Sequence, residues 1–233
     1  MARKAKIDDT IKKRFDRQET KRRENSKPKR RFFLIVCDGA KTEPNYFRGL
    51  KNQLPPNVIE LIELAVFGTG KNTLETIEEA RKHKNQIEQQ PGRVIDEVWA
   101  VFDRDSFPGQ NFNNAIAKGQ EIGVKCAWSN EAFELWYLLH FQSFENAMRR
   151  QKHKKLLERE LSRCMGKPFV YAKNSESMFT LLQQHGKVDE AIKRAKLLEH
   201  QFAGRTDYAN HNPCTRVYAL VERLLHPELL STN

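Results

Sequence analysis

The chain has 233 residues, of which 39% are hydrophobic and 30% charged, a composition that suits one domain with a sizeable core and appendages. Its longest apolar runs fall far short of the ~20 residues of a membrane helix. The first residues lack the charged-then-apolar pattern of a secretory leader, so we do not expect a secreted protein. The four cysteines are scattered without metal-ligand spacing, so we expect a cytoplasmic protein with reduced thiols rather than a disulfide framework or a zinc site.

The formal net charge of +11 is concentrated at the N-terminus. Residues 1–31 hold 14 Lys and Arg against 5 Asp and Glu, whereas the other 202 residues hold 27 against 25. So few apolar residues cannot form a core, and we predict a flexible basic tail over residues 1–30. Because cations that neutralise phosphates release counterions, we expect the tail to bind nucleic acid without sequence specificity. A solubilising terminus or a surface for an acidic protein is the alternative. The candidate contacts are Lys12, Lys13, Arg14, Lys21, Arg22, Arg23, Lys29, Arg30 and Arg31.

After the tail, predicted strands alternate with predicted helices. Arg31–Cys37 is a continuous apolar run, which is typical of a strand buried on both faces of a parallel sheet. Thr42 as a cap and Pro44 in the first turn predict a helix. This alternation predicts a parallel α/β sheet over residues 31–129. The further predicted strands cover about 58–66, 96–102 and 124–128, and the further helices about 73–90 and 111–122.

From residue 130 onward the pattern predicts helices only, so we expect a C-terminal helical part over residues 130–233 that packs on the core. Its predicted helices cover 131–141, 144–165, 175–185, 188–203 and 215–225.

The segment Gly68-Thr69-Gly70-Lys71 is similar to a phosphate-binding loop. A nucleoside-triphosphate loop would need Gly at position 65 and Ser or Thr at position 72, where this chain has Ala65 and Asn72. A turn capped by Asn72 or Thr73 is the better interpretation, and we do not expect ATP hydrolysis.

Acidic side chains follow two of the predicted strands. Asp103 and Asp105 leave the third strand on the same side, and Asp38 ends the first strand. If these strands are neighbours, the three carboxylates converge in the crevice at the carboxyl ends of the strands. Convergent carboxylates repel one another and suit a hard divalent cation such as Mg²⁺. Turn formation, which also uses Asp-Gly and Asp-x-Asp, is the alternative.

Several motifs together resemble the RloB-like family of bacterial proteins, over about residues 31–225. The strongest matches are residues 37–47 (CDGAKTEPNYF), 101–105 (VFDRD) and 129–141 (SNEAFELWYLLHF). Weaker matches are residues 171–173, 191–195 and 212–213. Through the acidic motifs the chain also resembles the Toprim fold of primases, topoisomerases and OLD-family nucleases.

The resemblance implies a Toprim-like parallel sheet flanked by helices and an enzyme that cuts DNA or RNA phosphodiesters with Mg²⁺ or Mn²⁺. It implies a role in antiphage defence by abortive infection, beside an ATPase partner, with tRNA as one open target. Asp38, Asp103 and Asp105 are the implied metal ligands. The family usually has Glu at position 38, so either Asp38 or Glu43 fills that role. Lys173 is the implied cation for charge on a phosphate.

The predicted helix after Asn130 carries two acidic residues in its first turn. We interpret Glu131 as an anion favoured by the helix dipole, and Glu134, which matches the family's Phe-Glu-x-Trp pattern, as a site carboxylate. His140 is interpreted as a hydrogen-bonded core residue, and Asn212 with the following proline as the start signal of the last helix.

A second hypothesis from another class stays open, namely a non-catalytic nucleic-acid-binding or adaptor subunit of a defence or restriction-associated complex. Asp38 in place of Glu favours it. The sequence leaves the oligomeric state open.

Overall fold

The computed structural model describes residues 31–59, 62–70, 72–104 and 108–227. Its sheet has the strand order β2-β1-β3-β4-β5, in which the first four strands are parallel and β5 runs antiparallel to β4. The predicted α/β class is confirmed, and a short fifth strand that the sequence pattern did not indicate is added at one edge. The strands are β1 Arg31–Cys37, β2 Ile62–Gly68, β3 Glu97–Asp103, β4 Lys125–Asn130 and β5 Cys214–Thr215.

Helices connect the strands and follow the last parallel strand. Numbered in chain order, they are α1 Thr42–Gln53, α2 Pro56–Ile59, α3 Thr73–Glu88, α4 Gly109–Glu121, α5 Glu134–Leu139, α6 Arg150–Met165, α7 Met178–His185, α8 Val188–His200 and α9 Val217–Leu225.

The continuous apolar sequence of β1 is explained by helices on both faces of the sheet. Phe33 and Ile35 face the core that contains α1, while Phe32 and Leu34 face the core formed with α3 and α4. The helix that follows β1 therefore lies on one face and the helix that follows β3 lies on the other. Since β1 and β3 are neighbours, the crevice between their carboxyl ends is the topological switch point, where open α/β sheets place ligand sites.

The C-terminal helices cover the face of the sheet on which α1 lies. Helices α6 to α9 all contribute buried side chains to the core that contains Phe33 and α1. At its centre every residue of α5 is buried, including the charged Glu134. This short apolar helix is held on all sides and gives its single carboxylate a fixed position. His140, which follows it, is buried with its Nδ1 2.9 Å from the Trp136 carbonyl oxygen, as predicted for a core histidine.

Three local predictions need correction. Thr42 does not cap α1, because its hydroxyl donates to the Lys173 carbonyl oxygen at 2.7 Å and Lys41 takes the N-cap position. Asn212 does not start α9, because its side chain donates to and accepts from the backbone of Met148 at 3.1 and 3.0 Å. The second strand begins at Ile62 and not at about position 58, because Pro56, whose fixed φ suits the first position of a helix, begins α2 over Pro56–Ile59.

The turn after β2 agrees with its prediction, since the Asn72 side chain accepts from the Glu75 backbone N–H at 3.0 Å and caps α3. Among the residues that the structure describes, every helix is too short or too polar to cross a bilayer. The predicted tail, residues 1–30, lies outside the described residues.

The burial of α5 predicts a large stability effect for a single truncation. Leu138→Ala should lower the free energy of unfolding by roughly 2–5 kcal/mol, because the fully buried side chain leaves a cavity at the centre of the core. Urea denaturation followed by circular dichroism measures the loss. Leu197→Ala on α8, whose side chain is 66% exposed, is the matched control and should change stability by no more than about 0.5 kcal/mol. Equal losses in the two variants would contradict the packing described for α5.

Candidate functional site

Asp38 and Asp103 meet at the switch point, as the sequence predicted for neighbouring strands. The Asp103 backbone N–H donates to Asp38 Oδ2 at 3.1 Å, and the Gly39 N–H donates to Asp38 Oδ1 at 2.6 Å. Asp38 thus bridges the ends of β1 and β3. The Asp103 side chain is buried, and its Oδ1 has no hydrogen-bond partner among the described residues.

Glu43 folds back from the first turn of α1 against the end of β1. Its carboxylate is so close to the Gly39 backbone that a Cβ at position 39 would overlap it, with the Glu43 Cδ only 2.8 Å away. A side chain at position 39 would therefore displace the Glu43 carboxylate from its present position. Glu43 is 3% exposed, and its Oε2 has no hydrogen-bond partner in the described part of the chain.

Glu134 enters the site from the start of α5. It is buried, and its Oε1 accepts a hydrogen bond from the Tyr171 hydroxyl at 2.9 Å. Burial and the neighbouring Glu134 carboxylate raise the pKa of Tyr171, so the phenol stays protonated and remains a donor. Tyr171 therefore fixes the orientation of Glu134 without adding charge to the cluster.

Two cations approach the carboxylates from the C-terminal part. Arg150 Nη2 lies 3.0 Å from Asp103 Oδ2. The backbone N–H of Arg150 donates to Glu131 Oε2 at 2.8 Å. Glu131 therefore binds the start of α6, which corrects the prediction that it lies in the first turn of the helix after Asn130. Lys173 is exposed in the segment before α7, and its charge lowers the pKa values of both Asp38 and Glu43.

The crowded carboxylates shift one another's protonation. Burial raises the pKa of Asp38 to about 6, against the opposing effect of its two backbone donors. Burial, and after it the charge of Asp38, raises the pKa of Glu43 to about 7. Burial also raises the pKa of Asp103, as do Glu43, Asp38 and Glu134, while Arg150 opposes the shift. The site therefore stores electrostatic repulsion that a bound cation would relieve.

Two open oxygens fit the coordination chemistry of a hard divalent cation. Glu43 Oε2 and Asp103 Oδ1 are buried acceptors without donors, and carboxylate oxygen is the preferred ligand of Mg²⁺ and Mn²⁺. Asp105, the third predicted ligand, lies outside the described residues. In the described ranges no group of three or more His, Cys, Asp and Glu side chains is arranged as a complete metal site.

The structure brings five of the predicted site residues together at the carboxyl ends of β1 and β3. They are Asp38, Glu43, Asp103, Glu134 and Lys173. Arg31 is different, because it begins β1 at the opposite end of the strand and its guanidinium lies 2.9 Å from Asp96. The other predicted nucleic-acid contacts, which run from Lys12 to Arg30, lie outside the described residues.

Sequence reasoning missed two residues that contact the carboxylates. Arg150 is one basic residue in a basic segment, and nothing in its spacing indicates Asp103 as its partner. Tyr171 had a signal, since residues 171–173 match a family motif, but the motif drew attention to Lys173 alone.

A model of the RloB-like protein family matches residues 33–224, which is most of the chain. The chain belongs to the RloB-like family. No curated protein and no solved structure matches the chain. The three sequence stretches that most resemble the RloB-like family lie at the end of β1, at the end of β3 and at the junction of β4 with α5. They supply Asp38, Asp103 and Glu134, respectively, to the same crevice.

The raised pKa of Glu43 predicts a measurable pH dependence of stability. The folded-state pKa of about 7 lies above the ordinary value of 4.5, so the folded protein binds the extra proton and loses stability as the pH rises through 7. Glu43→Gln removes this loss and should be more stable than wild type at pH 8 in EDTA, by roughly 1–3 kcal/mol, with a smaller difference at pH 5.

Urea denaturation at both pH values measures the effect. Glu176→Gln, which neutralises an exposed glutamate, is the control and should track wild type. Glu43→Gln that is less stable than wild type at pH 8 would show that the carboxylate is not repelled in the folded protein.

Proposed function

We propose that this RloB-like protein is a metal-dependent nuclease of the Toprim type, which cuts phosphodiester bonds of DNA or RNA. The observation that carries the proposal is the convergence of Asp38, Glu43, Asp103 and Glu134 at the switch point, with two buried carboxylate oxygens that lack donors. Ionised carboxylates that are crowded together destabilise a fold, and a divalent cation relieves their repulsion without protonating them.

Asp103 and Glu43 are the residues that would hold Mg²⁺ or Mn²⁺, with Asp38 beside them. The ion, when bound, would stabilise negative charge on phosphate oxygens and make a neighbouring water a better nucleophile. Glu134, held by the Tyr171 hydroxyl, would orient water or a further ion.

The two cations of the site have different parts in this proposal. Lys173 is exposed and next to Asp38 and Glu43, so it can pair with a non-bridging oxygen of a phosphate that reaches the carboxylates. Arg150 holds Asp103 in position, and its guanidinium can pair with two phosphate oxygens at once. Both therefore favour an anionic substrate at an otherwise acidic site.

The biological role belongs to the same proposal. Membership of the RloB-like family supports antiphage defence by abortive infection, with an ATPase partner and nucleic acid as the substrate. The basic residues 1–31 support binding to nucleic acid.

A second candidate is a non-catalytic nucleic-acid-binding or adaptor subunit. One observation favours it, since both oxygens of Asp38 accept backbone N–H groups and the side chain serves as a bracket between β1 and β3. Under this hypothesis the carboxylates serve to hold the ends of β1 and β3 together, and the protein has no nuclease activity.

Asp103→Asn separates the two hypotheses. It keeps the size of the side chain and removes the charge, so cleavage of labelled tRNA, single-stranded DNA and plasmid with Mg²⁺ or Mn²⁺ should fall on the order of 100-fold or more, with binding retained. EDTA should stop cleavage by the wild type.

Asp207→Asn, at an exposed aspartate paired with Arg205, is the control and should cut like the wild type. Wild-type protein that cuts nothing even with the partner ATPase, and Asp103→Asn that keeps biological activity, would favour the adaptor.

Arg150 provides a test of metal binding that does not depend on cleavage. Arg150→Gln frees Asp103 Oδ2 and removes a positive charge beside the carboxylates, so the protein should bind Mn²⁺ roughly tenfold more tightly. Electron paramagnetic resonance of free Mn²⁺ measures the affinity. Arg149→Gln removes an equal charge from the neighbouring exposed position and should change the affinity much less. Weaker binding by Arg150→Gln would contradict an overlap of the Arg150 and metal positions.

A further inference from the structure

Five basic residues form a continuous stripe along α6. Their positions are three or four residues apart, so they share one side of the helix, within an arc of about 120° and over a length of about 20 Å. All five are exposed, whereas His153, Leu157 and Leu161 on another side are buried. The basic stripe consists of Arg149, Lys152, Lys155, Arg159 and Arg163.

The stripe works against the stability of its own helix. The first turn of α6 has no acidic residue, although negative charge is favoured and positive charge disfavoured at that end by the helix dipole. Arg149, Lys152 and Lys155 have no ion-pair partner among the residues that the structure describes. The Glu131 carboxylate accepts the Arg150 N–H at this end of the helix, but it forms no ion pair with these three cations, so their charge remains available to an external anion.

Several exposed cations on other helices are neutralised by ion pairs. On α3 Arg81 lies 2.7 Å from Glu78, and on α8 Lys193 lies 2.9 Å from Glu190. Such pairs, three residues apart, are the usual surface pattern of a helix. On α6 Lys154 forms such a pair with Glu158, at 3.8 Å, but Lys154 lies outside the stripe. The charge of the stripe's first three residues is not neutralised in this way within the described part of the chain.

The far end of the stripe is ordered by a buried carboxylate. Glu160 accepts from Arg159 through Oε1 at 2.9 Å and from Arg163 through Oε2 at 3.0 Å. One carboxylate between two guanidinium groups leaves a net positive charge and holds both arginines in defined orientations. This end of the stripe therefore keeps a net positive charge, with both guanidinium groups gathered around one carboxylate.

The near end of the stripe lies at the carboxylates. Arg150, which follows the first residue of the stripe, contacts Asp103 directly. A cavity of about 470 Å³ is lined by Arg104, Arg150 and Gln151 on that side. A second cavity, of about 430 Å³, is lined by Lys152 and Arg159 of the stripe itself.

We infer that the basic stripe of α6 binds the sugar-phosphate backbone of the nucleic-acid substrate and leads it to Asp103. The successive cations are about 4.5–6 Å apart along the helix axis, so they can pair with successive phosphates of one strand. Contacts to phosphates carry no sequence information, so the stripe fixes position and not sequence. The inference rests on the proposed function for the identity of the substrate, and it assigns to the body of the protein a binding surface separate from the basic tail.

The test uses the full-length chain with Arg149→Gln, Lys152→Gln and Lys155→Gln combined, which spares the arginines bound to Glu160. The matched control neutralises three cations of α3, on the opposite face of the sheet, with Arg81→Gln, Lys82→Gln and Lys84→Gln. Both sets are also made in a full-length background in which the tail residues Lys12, Lys13, Arg14, Lys21, Arg22 and Arg23 are glutamine. Binding of fluorescent tRNA and of fluorescent duplex DNA is measured by anisotropy in EDTA, over a series of salt concentrations.

In the neutralised-tail background the α6 set should bind at least roughly tenfold more weakly than its parent at moderate salt. The slope of log affinity against log salt should decrease by about two to three, one contact for each cation removed. A loss confined to tRNA or to DNA identifies the polymer that uses the stripe. Affinity and salt slope equal to those of the α3 set for both polymers would overturn the inference. Binding is measured in EDTA and so does not depend on cleavage. A protein that binds through the stripe but cuts nothing with Mg²⁺ or Mn²⁺ would refute the proposed nuclease and still support binding by the stripe.

Discussion

The structure depends on holding four carboxylates together at the carboxyl ends of two parallel strands, with Glu43, Asp103 and Glu134 buried and Asp38 half-buried. The negative charge of each carboxylate is stabilised by a different group. Asp38 accepts two backbone N–H groups, Asp103 pairs with Arg150, and Glu134 accepts from a phenol that stays neutral. Glu43 keeps one oxygen without a donor, and its pKa is raised accordingly. These contacts relieve only part of the repulsion between the carboxylates, and the remaining repulsion favours the binding of a cation.

Rigid packing is what allows the arrangement to persist. The carboxylates come from the ends of β1 and β3 and from the first turns of α1 and α5, all of which are anchored in the core. Gly39 illustrates the closeness of fit, since a Cβ at this position would overlap the Glu43 carboxylate where it now lies. Repelling groups on mobile loops would separate. Groups on buried elements are held together because the apolar burial of β1 and α5 outweighs the repulsion.

Periodicity and strand-end reasoning were enough to predict the layout but not the pairings. The apolar runs of β1 and β3 and the acidic residues after them predict a buried parallel sheet with Asp38 and Asp103 at one edge, because those features are local in sequence. Arg150 lies 47 residues from Asp103 along the chain, and Thr42 turns from its expected capping role toward Lys173. Such contacts depend on how α6 and the segment before α7 return to the sheet. No local pattern encodes that path, and for the same reason β5 was not predicted.

One helix joins the two electrostatic features of the protein. Arg150 at the start of α6 neutralises part of the acidic site, and the basic stripe continues from that point along the same helix. Glu131, at the end of β4, holds the N-terminus of α6 and so sets the distance between these charges and the sheet. A rigid helix cannot move its stripe without moving Arg150. The surface proposed to guide the substrate and the guanidinium that pairs with Asp103 therefore belong to one helix, and their separation is fixed by its geometry.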